Sequence, residues 1–274
     1  MDQMRAKMQE EKTLLSVTYK AVYEYESVVL LNDNIVKIVP YPSGNQRLIH
    51  EEVGTEPEGH KVRFTDSFGN INYRIKVTEQ HTSLVISSQS KVEVRRVPMV
   101  DCVLPCRIGE ERYLFSSDLI DVDFFSEIGT KVRRSSHTLD ELIRNVVSLV
   151  RERMEYEPGS TYIDTEASKS FKIGKGVCQD FAHVTIGILR ASGVPARYVM
   201  GLVDKNPKVT HAWVEFLSPA GWVPIDPTRG ILYDIGYVKF AVGRDYNDTP
   251  PIKGSFISSG KGRLSRLEVK VDAE

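Results

Sequence analysis

The stretch from Gly176 to Ser192 constrains this chain more than any other. After Gly176-Val177-Cys178-Gln179-Asp180-Phe181-Ala182-His183, the apolar residues Val184, Ile188 and Ala191 recur at helical spacing, and Ala182, Ile186 and Leu189 fill the opposite side. A helix apolar on most faces has to be buried, so other layers must surround it. Gly193 ends it as a left-handed cap and Pro195 as a breaker. Gly174 and Gly176 allow a sharp turn into its start. Cys178 therefore stands at the N-terminus of a buried helix, where the helix dipole favours a thiolate.

A nucleophilic thiol needs a base, and the base needs a group to orient it. Two downstream segments offer both. Thr210-His211-Ala212-Trp213-Val214-Glu215-Phe216 alternates like a strand and carries His211 at its start. Gly221-Trp222-Val223-Pro224-Ile225-Asp226-Pro227 reads as a second strand ending in Asp226. The order Cys, His, Asp along helix, strand, strand suits a papain-like acyl-transfer site.

Four motifs here carry a resemblance: GVCQDFAH at 176–183, GVPARYVMG at 193–201, HAWVEF with GWVPIDPT within 211–228, and VGRDYNDTPPIKG at 242–254. Together they resemble the bacterial and archaeal transglutaminase-like proteins, often described as candidate cysteine proteases. The resemblance implies that Cys178 is the nucleophile, His211 the general base and Asp226 the orienting carboxylate. It implies no cofactor and a peptide or protein amide as substrate.

Each residue also has a plainer role. Cys178 suits a buried structural thiol, His211 a strand-end histidine, and Asp226 a turn residue before proline. The motif context favours chemistry at all three. His183 lies five residues after Cys178, about 140° around the helix, so packing or a supporting hydrogen bond suits it better than catalysis. Asp180, in the first helical turn, is expected to cap backbone N–H groups. His50, His60, His81 and His137 read as turn residues. The backbone N–H of Cys178 is the expected oxyanion donor. Tyr156 is a candidate second donor, with a helix-end aromatic as the equal alternative, and Trp213 and Trp222 are expected as cleft walls or core. No CxxC or HExxH pairing supports a metal site, and Gly174-Lys175-Gly176 lacks the Ser or Thr of a phosphate loop.

The chain has 274 residues, enough for two modest domains. Its 36 basic and 37 acidic residues are intermixed, which argues against a nucleic-acid surface. Met1 to Thr13 is charged and helix-prone, without a signal-peptide core, and no run approaches a membrane span. Three cysteines do not make a disulfide scaffold. A soluble cytoplasmic protein is the expectation.

The expected fold is α+β. Residues 13–97 form a β-sandwich-like module, 98–125 a connection, and 126–274 a papain-like, transglutaminase-like catalytic domain of helices on an antiparallel sheet. In the first module, strands are expected at Leu15–Tyr23, Ile35–Val39, Val62–Phe64, Ile71–Val77, Leu84–Ile86 and Val92–Val94. Turns fall at Asn32-Asp33-Asn34 and Ser43-Gly44-Asn45, and Asp66-Ser67-Phe68-Gly69-Asn70 closes a hairpin. Position and this hairpin resemble the N-terminal domain of the same family. Cys102 and Cys106 either pair, form half a metal site or are two incidental thiols, the last being preferred. Thr138 and Glu141 make a capping box for a helix whose stripe is Leu139, Leu142, Ile143, Val146, Val147, Val150 and Met154. Thr165 is expected to cap a further turn. Leu264–Val271 alternates and is expected to return as an edge strand to either domain.

The expected activity is amide hydrolysis through an acyl-thioester. The alternatives are transfer of the acyl group to an amine, and a silent module that binds peptides in the same cleft. Hydrolysis is favoured because the Asp204–Thr210 loop, with Lys205 and Lys208, offers positive charge rather than an amine site.

Overall fold

A computed structural model of the chain describes residues 12–106, 109–203, 207–233 and 235–274. Most of the expected N-terminal helix lies outside these residues, and Lys12 and Thr13 already belong to a strand. Strand β1 (Lys12–Val29) extends the expected alternation at both ends, burying Leu15, Val17, Tyr19 and Ala21. Then come β2 (Leu31–Val36), β3 (Gln46–Glu56), β4 (His60–Thr65), β5 (Ile71–Val77) and β6 (His81–Arg95). The β4–β5 hairpin forms as expected. Gly69 takes φ 85°, and the Asp66 carboxylate accepts from the N–H groups of Phe68 and Asn70.

Several local expectations are corrected. Asn32-Asp33-Asn34 lies within β2, because Asn32 and Asn34 face inward and Asn32 Nδ2 finds His81 Nε2 at 2.8 Å. Leu84–Ile86 and Val92–Val94 are parts of one strand, since the intervening Ser88 and Ser90 are buried and the Ser88 hydroxyl donates to Ile38 O. The unforeseen β3 is an edge strand whose polar residues mask its period. His50, His60 and His81 sit in strands, and only His137 stays in a loop.

The second half supplies the helices α1 (Ser126–Arg134) and α2 (Leu139–Arg153), the short strand β7 (Glu155–Tyr156), α3 (Ala167–Ile173), β8 (Lys175–Gly176) and α4 (Cys178–Ala191). Helix α2 is built as its sequence predicts. Thr138 Oγ1 accepts from Glu141 N, the Glu141 carboxylate accepts from His137 N, and the apolar stripe is buried. Thr165 is no cap: its hydroxyl accepts from Tyr162 N, and Glu166 holds the cap position of α3. Strands β9 (Ala196–Leu202), β10 (His211–Ser218), β11 (Gly221–Asp226), β12 (Ile231–Leu232) and β13 (Val238–Gly243) make one antiparallel sheet, ordered β12-β11-β10-β9-β13. Helix α4 packs on β10 and β9, with α1, α2 and α3 around it.

The chain then crosses back. Strand β14 (Ile252–Ile257) pairs with β2 and β15 (Gly262–Ala273) with β1, giving two four-stranded sheets ordered β14-β2-β5-β4 and β15-β1-β6-β3. The tail therefore returns to the N-terminal module. The last two strands of the 126–274 stretch belong by hydrogen bonding to the sheets that β1 and β2 begin.

A disulfide joins Cys102 to Cys106, correcting the expectation of two incidental thiols. The bond closes a loop held to the start of α2 by Leu139 N donating to Cys102 O and Leu104 N to His137 O. Disulfides persist in oxidising surroundings, so the cytoplasmic expectation draws no support from it. Among the described residues, no helix is long and apolar enough to cross a membrane.

The N-terminal module finishes the free edge of the five-stranded sheet. Asn70 accepts from Val242 N at 2.8 Å and donates to Val242 O at 2.9 Å. Gln46 does the same for Lys239, at 2.9 and 2.8 Å. Two amide side chains thus stand where a sixth strand would, satisfying buried backbone groups. Asn70→Leu keeps the branched outline of the side chain and strips both bonds from Val242. Urea unfolding is expected to show a loss of about 2–4 kcal/mol, two unsatisfied groups at ~1–2 each; a loss below about 0.5 kcal/mol, the range of a neutral surface change, would show that the edge does not need this partner.

Candidate active site

The entry to α4 is set by close approaches. Gly174 takes φ 73° at the end of α3. A Cβ on Gly176 would lie 2.5 Å from Cβ of Asp180, so only glycine lets the chain pass over that carboxylate. Asp180 Oδ2 accepts from Val177 N at 2.8 Å and from the Thr161 hydroxyl at 2.7 Å, the capping role expected from sequence. Burial pushes its carboxyl pKa up, against the hydrogen bonds from Thr161 and the backbone.

Cys178, half-buried and the one free cysteine, meets His211 across the end of β10. His211 Nε2 donates to Asp226 Oδ2 at 2.8 Å, which leaves the other ring nitrogen available to Cys178, the second neighbour that acts on its pKa. Burial opposes protonation of this imidazole. The hydrogen bonds to Asp226 and Cys178, and then their charges, outweigh it and raise the pKa to about 9. Asp226 is fully buried; its Oδ1 accepts from Arg229 N at 3.1 Å. The structure thus brings together all three residues singled out in the sequence.

The surroundings of His211 went partly unread. Tyr237 donates its hydroxyl to Asp226 Oδ2 at 3.1 Å, accepts from Arg229 Nη1 at 3.0 Å, and sets its ring edge-on to His211 at 5.9 Å. It lies in an irregular segment before β13 with no periodic signal, so nothing marked it. Trp213 stacks behind His211 at 6.4 Å, where Gly201 makes room: a Cβ there would lie 2.8 Å from the indole. Trp213 is a wall of the site, whereas Trp222 stands at the other end of β11 over Arg197. Tyr156 pairs with Gly176 across β7–β8, half-exposed, and burial followed by Cys178 raises its phenol pKa, which puts it in the thiol's neighbourhood.

His183 points away from the thiol, as helical geometry required. Fully buried, it accepts from Tyr246 N at 3.1 Å, and burial lowers its pKa to about 3. Among the described residues no three His, Cys, Asp or Glu side chains cluster as metal ligands would.

Residues 126–227 match the model of the transglutaminase-like superfamily, and residues 15–93 that of the bacterial transglutaminase-like N-terminal region. An uncharacterized protein of Mycobacterium leprae is 28% identical over 275 residues, covering 94% of this chain and 97% of that protein. The fold is shared with a candidate cysteine protease from Cytophaga hutchinsonii, whose crystal structure superposes with a TM-score of 0.80 at 22% identity over 96% of this chain and 91% of that one. A protein-glutamine gamma-glutamyltransferase of Pseudomonas aeruginosa is 30% identical over 102 residues, which are 30% of this chain and 15% of that protein.

Two outcomes test the site's chemistry. Without reductant, the native chain is expected to bind one equivalent of iodoacetamide, at Cys178, and three after unfolding with reductant; a second native equivalent would break the Cys102–Cys106 assignment. By NMR titration, His211 is expected to titrate at about 9 and to fall toward the ordinary ~6.5 in Asp226→Asn. The raised pKa makes the imidazolium's stabilisation complete below pH ~6.5 and lost as pH climbs through about 9. A wild-type value near the ordinary one would remove the carboxylate's part.

Proposed function

The chain belongs to the transglutaminase-like superfamily, whose members are generally enzymes, and on that premise we propose that it is a cysteine-dependent amide hydrolase acting on peptide or protein substrates. One observation carries this reading: a single imidazole bonded to a buried carboxylate and raised in pKa by that carboxylate and by a neighbouring thiol at a helix N-terminus. The Cys178 thiolate attacks the amide carbonyl, and the Cys178 backbone N–H donates to the developing oxyanion. Tyr156 is the proposed second donor. His211 hands its proton to the leaving amine, and the acyl group stays on Cys178 as a thioester. Water, deprotonated by His211, then releases the acid. Asp226 keeps the imidazole in the productive tautomer, and Tyr237 and Arg229 keep Asp226 in place.

The segment from Glu157 to Thr165 is proposed as one rim of the substrate site. Gln179 Nε2 donates to Ile163 O at 2.9 Å, tying the segment beside Cys178, and it carries Tyr162 and Ile163 at 78% and 66% exposure. Such a rim suits an apolar stretch of polypeptide. Water is favoured over an amine as acceptor because Lys208, exposed three residues before His211, repels an ammonium group, within the reach that salt allows. Lys205 lies outside the described residues. Amine transfer is the second reading, favoured by the stretch shared with a protein-glutamine gamma-glutamyltransferase.

The test incubates a peptide-amide and glutamine-peptide library with a labelled primary amine and follows free acid and labelled product together. Free acid is expected to dominate. Labelled product in excess at millimolar amine would assign transfer instead, and neither product would leave a peptide-binding module. Cys178→Ala and His211→Ala are each expected to abolish turnover, while Asp226→Asn leaves a residue of about 1 part in 10⁴. The alkaline limb of kcat/KM should follow His211, with activity falling as pH rises through about 9, and should move to lower pH in Asp226→Asn.

A further inference from the structure

Strand β10 carries a second buried charge cluster, four residues beyond His211 and about 13 Å along the strand. One oxygen of Glu215 accepts from Arg197 Nη2 at 2.6 Å and Nε at 2.9 Å, and the other accepts from Lys239 Nζ at 2.7 Å. The Arg197, Glu215 and Lys239 side chains are 6%, 1% and 3% exposed. Burial opposes ionisation of Glu215, yet Lys239 and Arg197 hold its pKa down to about 2. Two basic side chains therefore share one carboxylate; burial pulls the Lys239 pKa down against the pull of Glu215, and with Lys239 protonated the trio carries a net +1 inside the protein. A buried charge in excess needs a counter-charge to offset its lost hydration.

The two basic members, Arg197 and Lys239, line a cavity of about 390 Å³ at the seam between the N-terminal module and the five-stranded sheet. Asn45, Arg95 and Arg96 line it from the N-terminal module, and Arg197, Trp222 and Lys239 from the sheet. Trp222 lies over the Arg197 guanidinium at 4.1 Å. Arg95 is held by Glu93 at 2.9 Å. From the N-terminal module Lys239 Nζ meets the neutral Asn45, whose Oδ1 accepts from it at 2.8 Å, where a carboxylate would complete the charge balance.

We infer that this seam cavity binds a small anion with carboxylate or phosphate oxygens, seated against Lys239 and Arg197 beside the Trp222 ring. The anion supplies the missing negative charge through charge-assisted hydrogen bonds and ties the two modules together. The inference is independent of what Cys178 does.

The experiment titrates the full chain with inorganic phosphate and, separately, with succinate, at ionic strength held constant with potassium chloride, and reads Trp222 fluorescence. Trp222→Phe, with Trp213 retained, identifies the signal. Saturable binding in the low millimolar range or tighter is expected from at least one anion. Phosphate alone marks a phosphoryl ligand and succinate alone a carboxylate. Asn45→Asp places the missing charge within the chain; it is expected to raise Tm and to weaken the anion by about tenfold or more. Lys239→Met, which leaves a neutral Arg197–Glu215 pair, is expected to abolish binding by calorimetry. No saturable change with either anion, or undiminished affinity in Asn45→Asp, overturns the inference.

Discussion

The structure depends on burying a whole helix together with the polar side chains it carries. Helix α4 is out of solvent on nearly every face, and a polar group left unbonded in such a place costs about 1–3 kcal/mol. Most of the buried polar residues on and just beyond α4 recruit a different part of the chain, while Thr185 Oγ1 has no partner among the described residues. Asp180 takes Thr161 and the entering backbone. His183 takes Tyr246 N. Arg190 donates to the carbonyls of Phe115, Ala196 and Arg244, reaching the connection, β9 and the stretch after β13 with one guanidinium. Ser192 reaches Gly129 on α1. The loops around the site are held by the helix that presents the thiol.

This explains which parts were legible. An apolar stripe of period 3.6 identifies α2 and apolar residues on most faces identify α4, and glycines at both ends of α4 mark its limits. The hairpin at Asp66–Asn70 was readable because its turn needs a left-handed residue and Gly69 is there. The motif at 242–254 carried family resemblance but no visible task. In the structure Asp245 accepts from Leu119 N, Arg244 O accepts from Arg190 and Tyr246 N donates to His183, so the motif ties the connection to α4.

What stayed hidden is non-local. Asn32 and Asn34 have turn chemistry by composition, and only a partner 49 residues away, His81, turns Asn32 into a strand residue. The last two strands alternate well enough to be seen, but their partners β1 and β2 lie at the other end of the chain, and alternation says nothing of partner choice. Cys102 and Cys106 are spaced too simply to separate a disulfide from two thiols. Tyr237 reaches Asp226 from an irregular segment, and its hydroxyl has meaning only once Asp226 and Arg229 are in place.

The N-terminal module, whose role the sequence left open, bears on the site through packing. Tyr41 and Phe68 from that module lie against a small core made by Val199, Trp213, Tyr237 and Val242 on the sheet face away from α4. Trp213 backs His211 and Tyr237 holds Asp226, so the imidazole's two restraints rest on a layer that the N-terminal sheets cover. Asn70 and Gln46 fix the same face by pinning β13. Exposing that core to water would remove apolar burial of the kind worth about 25 cal/mol per Å², and would loosen Tyr237 before it touched Cys178. The β-rich half is thus part of what keeps the imidazole aimed at the thiol, which is a physical reason for the two modules to occur in one chain and for its last strands to return to the first.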